Sequence, residues 1–266
     1  MVYSTITMIK KLSILLIITL FIAGCGKSDL ESTYPTVYKK ITTATLAQLR
    51  EAFAQKNIFL ASSLNEFGFC GYAGDLRTPS ANPYPQKLTR AEAIALVKKF
   101  VSENPTATGV RNADELKFTQ VDSYTGYNGA LFWSLLSSDQ KIGLVDVVYS
   151  KIRFVIKNNT VQLCVGNWFP DIYIPERFTI DQKEARSLLV NRVVSHYTWA
   201  GVRHVKITTE DLNKSVVILK ILPVKTDDKI ELRVVWQVNI PNPVYYLINV
   251  DVETGEIVAE RPTVIF

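Results

Sequence analysis

The 266-residue chain is poor in the residues that carry most enzyme chemistry, with two histidines, three cysteines and two methionines. The histidines, His196 and His204, stand eight apart across Trp199-Ala200-Gly201. There is no His-Glu-x-x-His motif, and two histidines without clustered cysteines or carboxylates make a poor metal site. No Gly-x-Ser-x-Gly elbow appears. Gly68-x-x-Gly71-x-x-Gly74 lacks the Gly-x-Gly start and the strand-to-helix setting of a phosphate loop. Asp122 and the Asp227-Asp228 pair fall where strands end or turn, so they are expected to be solvated rather than to form an acid–base pair. The formal charge of +5 is a weak excess with no Lys/Arg run, which argues against nucleic acid as a partner. These absences leave no catalytic residue, metal ligand or cofactor to assign, and the chain reads as a non-enzyme.

Long apolar runs are also scarce after the first two dozen residues. At the start, Lys10-Lys11 precedes an apolar run from Leu12 to Ile22, and Ala23-Gly24-Cys25 follows. A basic n-region, a short h-region and small residues before a cleavage point describe a secretory signal. A helix of that length rises only about 16 Å, too short for a hydrocarbon core of about 30 Å. The Ile22-Ala23-Gly24-Cys25 segment resembles the bacterial lipobox, which implies lipidation at Cys25 and an exported chain tethered to a membrane. Met8, which opens Met-Ile-Lys-Lys, is an alternative start. Gly26 carries no evident inner-membrane retention signal, so the cell envelope is expected, with the outer membrane slightly favoured.

Cleavage leaves 242 residues, enough for one large domain or two small ones. Residues 25–40 are polar and poorly patterned and read as a flexible tether. A helix is predicted around 44–55, with Leu46, Leu49 and Phe53 on one face. Glycines and prolines crowd residues 62–87 and predict irregular chain, so 41–87 forms an N-terminal helix-plus-irregular segment. Cys70 and Cys164 remain once Cys25 is lipidated. Export permits a disulfide between them, while two separate buried thiols are the blander reading and the one the sequence favours.

An internal repeat organises the rest. Leu88-Thr89-Arg90-Ala91-Glu92-Ala93 and Ile180-Asp181-Gln182-Lys183-Glu184-Ala185 share one design: an apolar residue, a capping oxygen, then Glu at the third helical position. Leu96 with Leu188, Val97 with Leu189 and Val101 with Val193 keep the same offset, predicting helices at about 88–103 and 181–195. The histidines then fall at the end of the second helix or in the following loop. Strands follow each helix. Tyr127-Asn128-Gly129 separates 117–124 from 130–136, and Asn158-Asn159 separates 152–157 from 161–165. In the second unit Leu232, Val234, Trp236, Val238 and Ile240 alternate with Arg233, Gln237 and Asn239, the period of a sheet covered on one face. Helix followed by antiparallel meander, twice, predicts an α+β fold with units at 88–178 and 179–266.

The segment from Phe178 onward resembles a PepSY domain in its Ile-Asp-x-x-Glu-Ala helix start, its Val234–Val238 strand and its closing Val250-Asp251-Val252-Glu253-Thr254-Gly255-Glu256. Val252 departs from the family's usual small residue. Upstream, Val148–Ile156 and the Asn158-Asn159 turn resemble the unit that precedes PepSY in thermolysin-type propeptides. That resemblance implies a partner, since such propeptides assist and inhibit a neighbouring peptidase, yet the chain reaches Phe266 with no peptidase domain. The expectation is a lipid-anchored binding protein that inhibits or chaperones an exported peptidase. The alternatives are an envelope ligand-binding or assembly lipoprotein and, third, an enzyme whose site lies between the repeats. Trp168, Phe169 and Tyr173 are the candidate binding element: exposed, they would stack on sugar or grip a peptide, and buried, they would anchor the linker between the repeats. Partner recognition is expected on a sheet surface or an exposed edge strand.

Overall fold

Both capping boxes form where the spacing places them. Thr89 Oγ1 accepts the Glu92 amide at 3.3 Å while Glu92 accepts the Thr89 amide at 2.7 Å. Asp181 accepts the Lys183 and Glu184 amides, and Glu184 reaches back to the Asp181 amide at 2.8 Å. Each box satisfies N–H groups that a helix start leaves orphaned. The computed structural model in which these contacts are seen describes residues 33–56, 64–70, 72–73, 87–126, 129–198 and 201–263. The signal segment, Cys25, Met8 and most of the expected tether lie outside the described residues.

The helices are α1 (Thr43–Lys56), α2 (Arg90–Glu103), α3 (Pro105–Thr108), α4 (Gln182–Ser187) and α5 (Thr209–Asn213). α1 matches the expected helix and buries Leu46 and Phe53. α2 buries Ala93, Val97, Phe100 and Val101, the i, i+4, i+7, i+8 face of an amphipathic helix. α4 corrects the expectation of a helix to about 195. It ends at Ser187, Asn191 turns the chain with φ +67, and a strand begins at Val193. Leu189 is buried like Val97, but Leu188 and Val193 are 51% and 57% exposed where a full repeat would bury Val193 like Val101. The β-branched pair Val193-Val194 favours strand over a further helical turn.

A five-stranded sheet runs in the order β2 (Tyr72–Ala73), β8 (Thr160–Gly166), β7 (Ile152–Lys157), β4 (Leu131–Ser137), β3 (Phe118–Thr125). Asn158 and Asn159 both take positive φ, +46 and +63, as the tight β7–β8 hairpin turn demands. α1 and α2 contribute to one core with this sheet, around Phe53, Val97, Val101, Leu135, Phe154 and Cys164.

The second sheet has seven strands: β14 (Ile257–Pro262), β13 (Tyr246–Asp251), β12 (Lys229–Ile240), β11 (Val216–Lys225), β6 (Val145–Val147) and β5 (Lys141–Ile142), with β1 (Thr36–Lys39) also on β12. A separate hairpin pairs β9 (Val193–Thr198) with β10 (Gly201–Lys206). The β12 alternation is as expected: Leu232, Val234, Val238 and Ile240 enter the buried cores, with Trp236 partly buried against them. The described residues are α+β, with more strand than helix: one mixed seven-stranded sheet, one antiparallel five-stranded sheet and the antiparallel β9–β10 pair.

Two expected boundaries do not separate in space. The β5–β6 hairpin, inside the expected first unit, leaves the five-stranded sheet and pairs in parallel with β11, Asp146 opposite Lys220 and Val147 opposite Ile221. A buried polar set holds the crossover. Ser137 Oγ accepts the Ile152 amide, Ser150 Oγ accepts the Gln140 amide, and the Gln140 side chain brackets both backbone groups of Phe169. The other correction concerns the tether. Thr36–Lys39 is a strand, antiparallel to β12 from Thr36 opposite Leu232 to Lys39 opposite Lys229. Thr36, Val37 and Tyr38 favour a strand by type, and β12 supplies the unpaired edge that recruits them.

Candidate functional site

The expected aromatic site is not a surface. Trp168 is 2% exposed and joins the first core, and Phe169 beside it, equally buried, enters the core beneath the seven-stranded sheet. Phe169 meets Tyr38 and Phe69 at ring-centroid distances of 5.7 and 6.1 Å. Tyr173 is partly buried, and its amide donates to Thr36 Oγ1 at 2.9 Å. Consecutive side chains plugged into different cores make this segment a linker anchor, which removes Trp168 and Phe169 as stacking platforms.

The histidines are also placed differently from expectation. The β9–β10 hairpin sets His196 opposite Arg203 and His204 opposite Ser195. His196 is buried edge-to-face on Tyr246. His204 is exposed, its Nδ1 2.9 Å from Ser195 Oγ, a cross-strand contact with no carboxylate orienting the ring among the described residues. No group of three or more His, Cys, Asp or Glu side chains among the described residues could hold a metal. Cys70 and Cys164 are free thiols, both buried in the same core.

The feature best suited to a ligand is the open face of the seven-stranded sheet. While Val217, Leu219 and Ile221 of β11 turn toward the cores, Lys220 and Leu222 turn the other way with Gln237, Leu247, Asn249, Ala259 and Arg261. They floor a groove of about 460 Å³, walled by Asp146, Val148 and Tyr149 from the β6 side. Cross-strand amides line its middle. Gln237 donates to Asn249 Oδ1 at 3.1 Å, and Asn249 donates to the Ala259 carbonyl at 3.2 Å, where the β13–β14 register shifts.

Charge divides the groove unevenly. Lys220 is committed to Asp146 at 2.5 Å, and Lys141 reaches the same carboxylate at 3.0 Å. The hydrogen bond from Lys220 holds the Asp146 carboxyl below the usual range. Arg261 has no ion pair among the described residues, leaving a guanidinium free for an acceptor. Tyr149 stands at the lip, 64% exposed, with φ +62. A bulky residue in the left-handed region carries strain, and strain of this kind clusters at binding sites. No helix among the described residues is long and apolar enough to cross a membrane.

The closing turn is structural. Asp251, fully buried, accepts the Glu253 and Thr254 amides at 2.8 and 3.0 Å, and Gly255 takes φ +71. It also meets Arg233 at 3.2 Å, and Arg233 pairs with Glu231 at 2.6 Å. Burial raises the Asp251 carboxyl, but the hydrogen bonds from Tyr34, the turn amides and Arg233 outweigh it and hold the group below the usual range. The sequence-level account of this motif as a turn device agrees with this geometry.

No family model matches the chain, and no curated protein does. Among solved structures, the chain is similar to the C-terminal domain of YpeB from Bacillus megaterium, at 11% identity and a TM-score of 0.32, over 84% of this chain and 98% of that one. A likeness at that level carries no argument about activity.

Proposed function

We propose that this is a non-catalytic, lipid-anchored envelope protein that binds a partner across the open face of its seven-stranded sheet. The carrying observation is the groove between the strained Tyr149 and the uncommitted Arg261, which joins an aromatic lip, amide groups and a free cation on a rigid floor. An extended peptide segment has matching chemistry: a backbone amide for Gln237, a carboxylate for Arg261, an apolar side chain against Leu247. The PepSY-like helix start and closing turn support a propeptide-like role, with an exported peptidase as the leading partner. The matching Thr89–Glu92 and Asp181–Glu184 capping boxes support reading the fold as a duplicated helix-on-sheet unit. The Cys25 segment supports a lipid anchor and an envelope location.

A second reading, an envelope receptor for a small peptide or glycan, is favoured by the polar middle of the groove. The deciding experiment titrates the full chain against the host's exported metallopeptidases. Stoichiometric, slow-release inhibition that Arg261→Glu weakens supports the peptidase reading. Digestion of the domain, or no inhibition of any host enzyme, overturns it and leaves the receptor reading to ligand screening.

A further inference from the structure

Cys70 and Cys164 lie 94 positions apart in sequence, yet they meet in one core. Cys70 closes a short loop that begins at Leu64, its bridge partner, and its amide donates to the Ala107 carbonyl at 2.8 Å. Asn65 organises that loop, accepting the Phe67 and Phe69 amides at 3.0 Å. Cys164 sits on β8 opposite Ala73, three residues beyond Cys70. Both thiols are buried, and Cys70 is the leading influence on the Cys164 thiol.

We infer that Cys70 and Cys164 are an oxidation site, joined in an oxidising compartment as a disulfide that ties the 64–70 loop to β8. The inference rests on the envelope reading only for the compartment. A disulfide-bearing oxidant, small or protein, supplies the chemistry. The Cys70 thiolate attacks one oxidant sulfur, forming a mixed disulfide and releasing the other sulfur as a thiol. The Cys164 thiol, its proton passed to solvent, attacks Cys70 Sγ and displaces the second oxidant thiol. Two protein thiols are oxidised and one oxidant disulfide is reduced.

Order and reversibility follow from the environment. The hydrogen bond that the Cys164 thiol gives to Cys70, together with burial, pushes that thiol up, so it is a poor nucleophile in the closed fold. Oxidation therefore proceeds while the chain folds or when the 64–70 loop opens, and the closed fold then shields the bond from reductant. A bridge over so long a stretch of chain restricts the unfolded state strongly.

The test uses the full chain carrying Cys25→Ser, which leaves only these two thiols, purified in detergent with reductant and then exposed to oxidised glutathione. Expected are loss of both thiols on alkylation after denaturation, a cross-linked peptide pair containing Cys70 and Cys164, and a Tm rise of about 10 °C that reductant reverses. Cys70→Ala and Cys164→Ala variants should fold and show no such rise. Two thiols still free after unfolding and refolding in the oxidant, or a bridged protein that melts lower, would overturn the inference. Lipid attachment at Cys25 is measured separately by mass on the wild-type chain from membranes. Its absence counts against the envelope reading and leaves the thiol result standing on its own.

Discussion

The Tyr34 hydroxyl lies 2.8 Å from Asp251 Oδ2, joining residues 217 apart in sequence, and it also accepts the Val234 amide at 3.0 Å. β1 and β13 occupy the same side of β12, β1 opposite 229–232 and β13 opposite 235–240. Tyr34 fills the gap between them, supplying the hydrogen bond that neither strand gives Val234. Tyr34→Phe leaves that amide short of a partner and Asp251 Oδ2 with Arg233 alone, and should cost about 1–2 kcal/mol. Asp251→Ala removes the nearer acceptor of the Tyr34 hydroxyl, leaves two turn amides short of an acceptor and Arg233 with Glu231 alone, and should cost about 3–5 kcal/mol. The double variant should cost less than the sum, since the two share a contact. Urea unfolding of the three variants against wild type measures all of this.

The same contact makes stability depend on pH at both ends. Asp251 and Glu231 are held below their ordinary values, Asp251 by its hydrogen bonds against burial and Glu231 chiefly by Lys229 and Arg233. Their unfolded forms take up protons first, at about pH 4, so their contribution is complete above about pH 5 and fades as pH falls through the lower folded values. Tyr34 shifts the other way: burial, then the neighbouring Asp251, raises it. The unfolded tyrosine ionises first, so its contribution is complete below about pH 10 and is lost as pH rises beyond it. Denaturation midpoints from pH 3 to 11 should fall at both ends. Asp251→Asn should flatten the acid limb, and Tyr34→Phe the alkaline one.

What was legible in the sequence was whatever local chemistry decides. Thr89 with Glu92, Asp181 with Glu184, Asn158-Asn159 and Asp251 with Gly255 each solve a local hydrogen-bonding or φ problem within five residues, and each appears as read. The β12 alternation was equally plain. Long-range partners were not legible. Thr36–Lys39 has strand-favouring residues, but its partner β12 lies far along the chain, and Gln140 reads as a turn residue until Phe169 arrives beside it. The aromatic run at 168–173 drew attention by composition, but composition does not distinguish a core anchor from a binding platform. Tyr149, at the lip of the groove, gave no signal at all, because its positive φ is visible only in three dimensions.

Gly109 and Gly143 offer a matched pair for testing how tightly the linker anchor is held. Both take positive φ, +74 and +60. A Cβ on Gly109 would run into the Trp168 carbonyl, whereas a Cβ on Gly143 meets nothing within 4 Å. Gly143→Ala should cost only the left-handed penalty, about 1 kcal/mol. Gly109→Ala adds a backbone collision at the segment that plugs both cores and should cost about 3 kcal/mol or more. Thermal unfolding of the two variants side by side separates conformational strain from the collision. Near-equal losses would mean that the 168–169 segment moves aside easily.

The groove makes the sharpest demand, because its two distinctive residues should affect stability and binding in opposite senses. Tyr149 is strained and mostly exposed, so Tyr149→Gly relieves the left-handed conformation while losing little buried surface. It should raise stability by about 1 kcal/mol and weaken partner binding about tenfold, as loss of an aromatic anchor does. Arg261→Glu sits on the outermost strand of the sheet without an ion pair among the described residues, so stability should change by no more than about 0.5 kcal/mol. If an acidic group of the partner meets that position, reversing the charge should weaken binding by a similar factor, and more steeply at low ionic strength. Calorimetric titration and urea unfolding on the same samples measure both quantities. A Tyr149→Gly protein that is less stable and binds as well as wild type would show that the ring packs for structure and that the partner docks elsewhere.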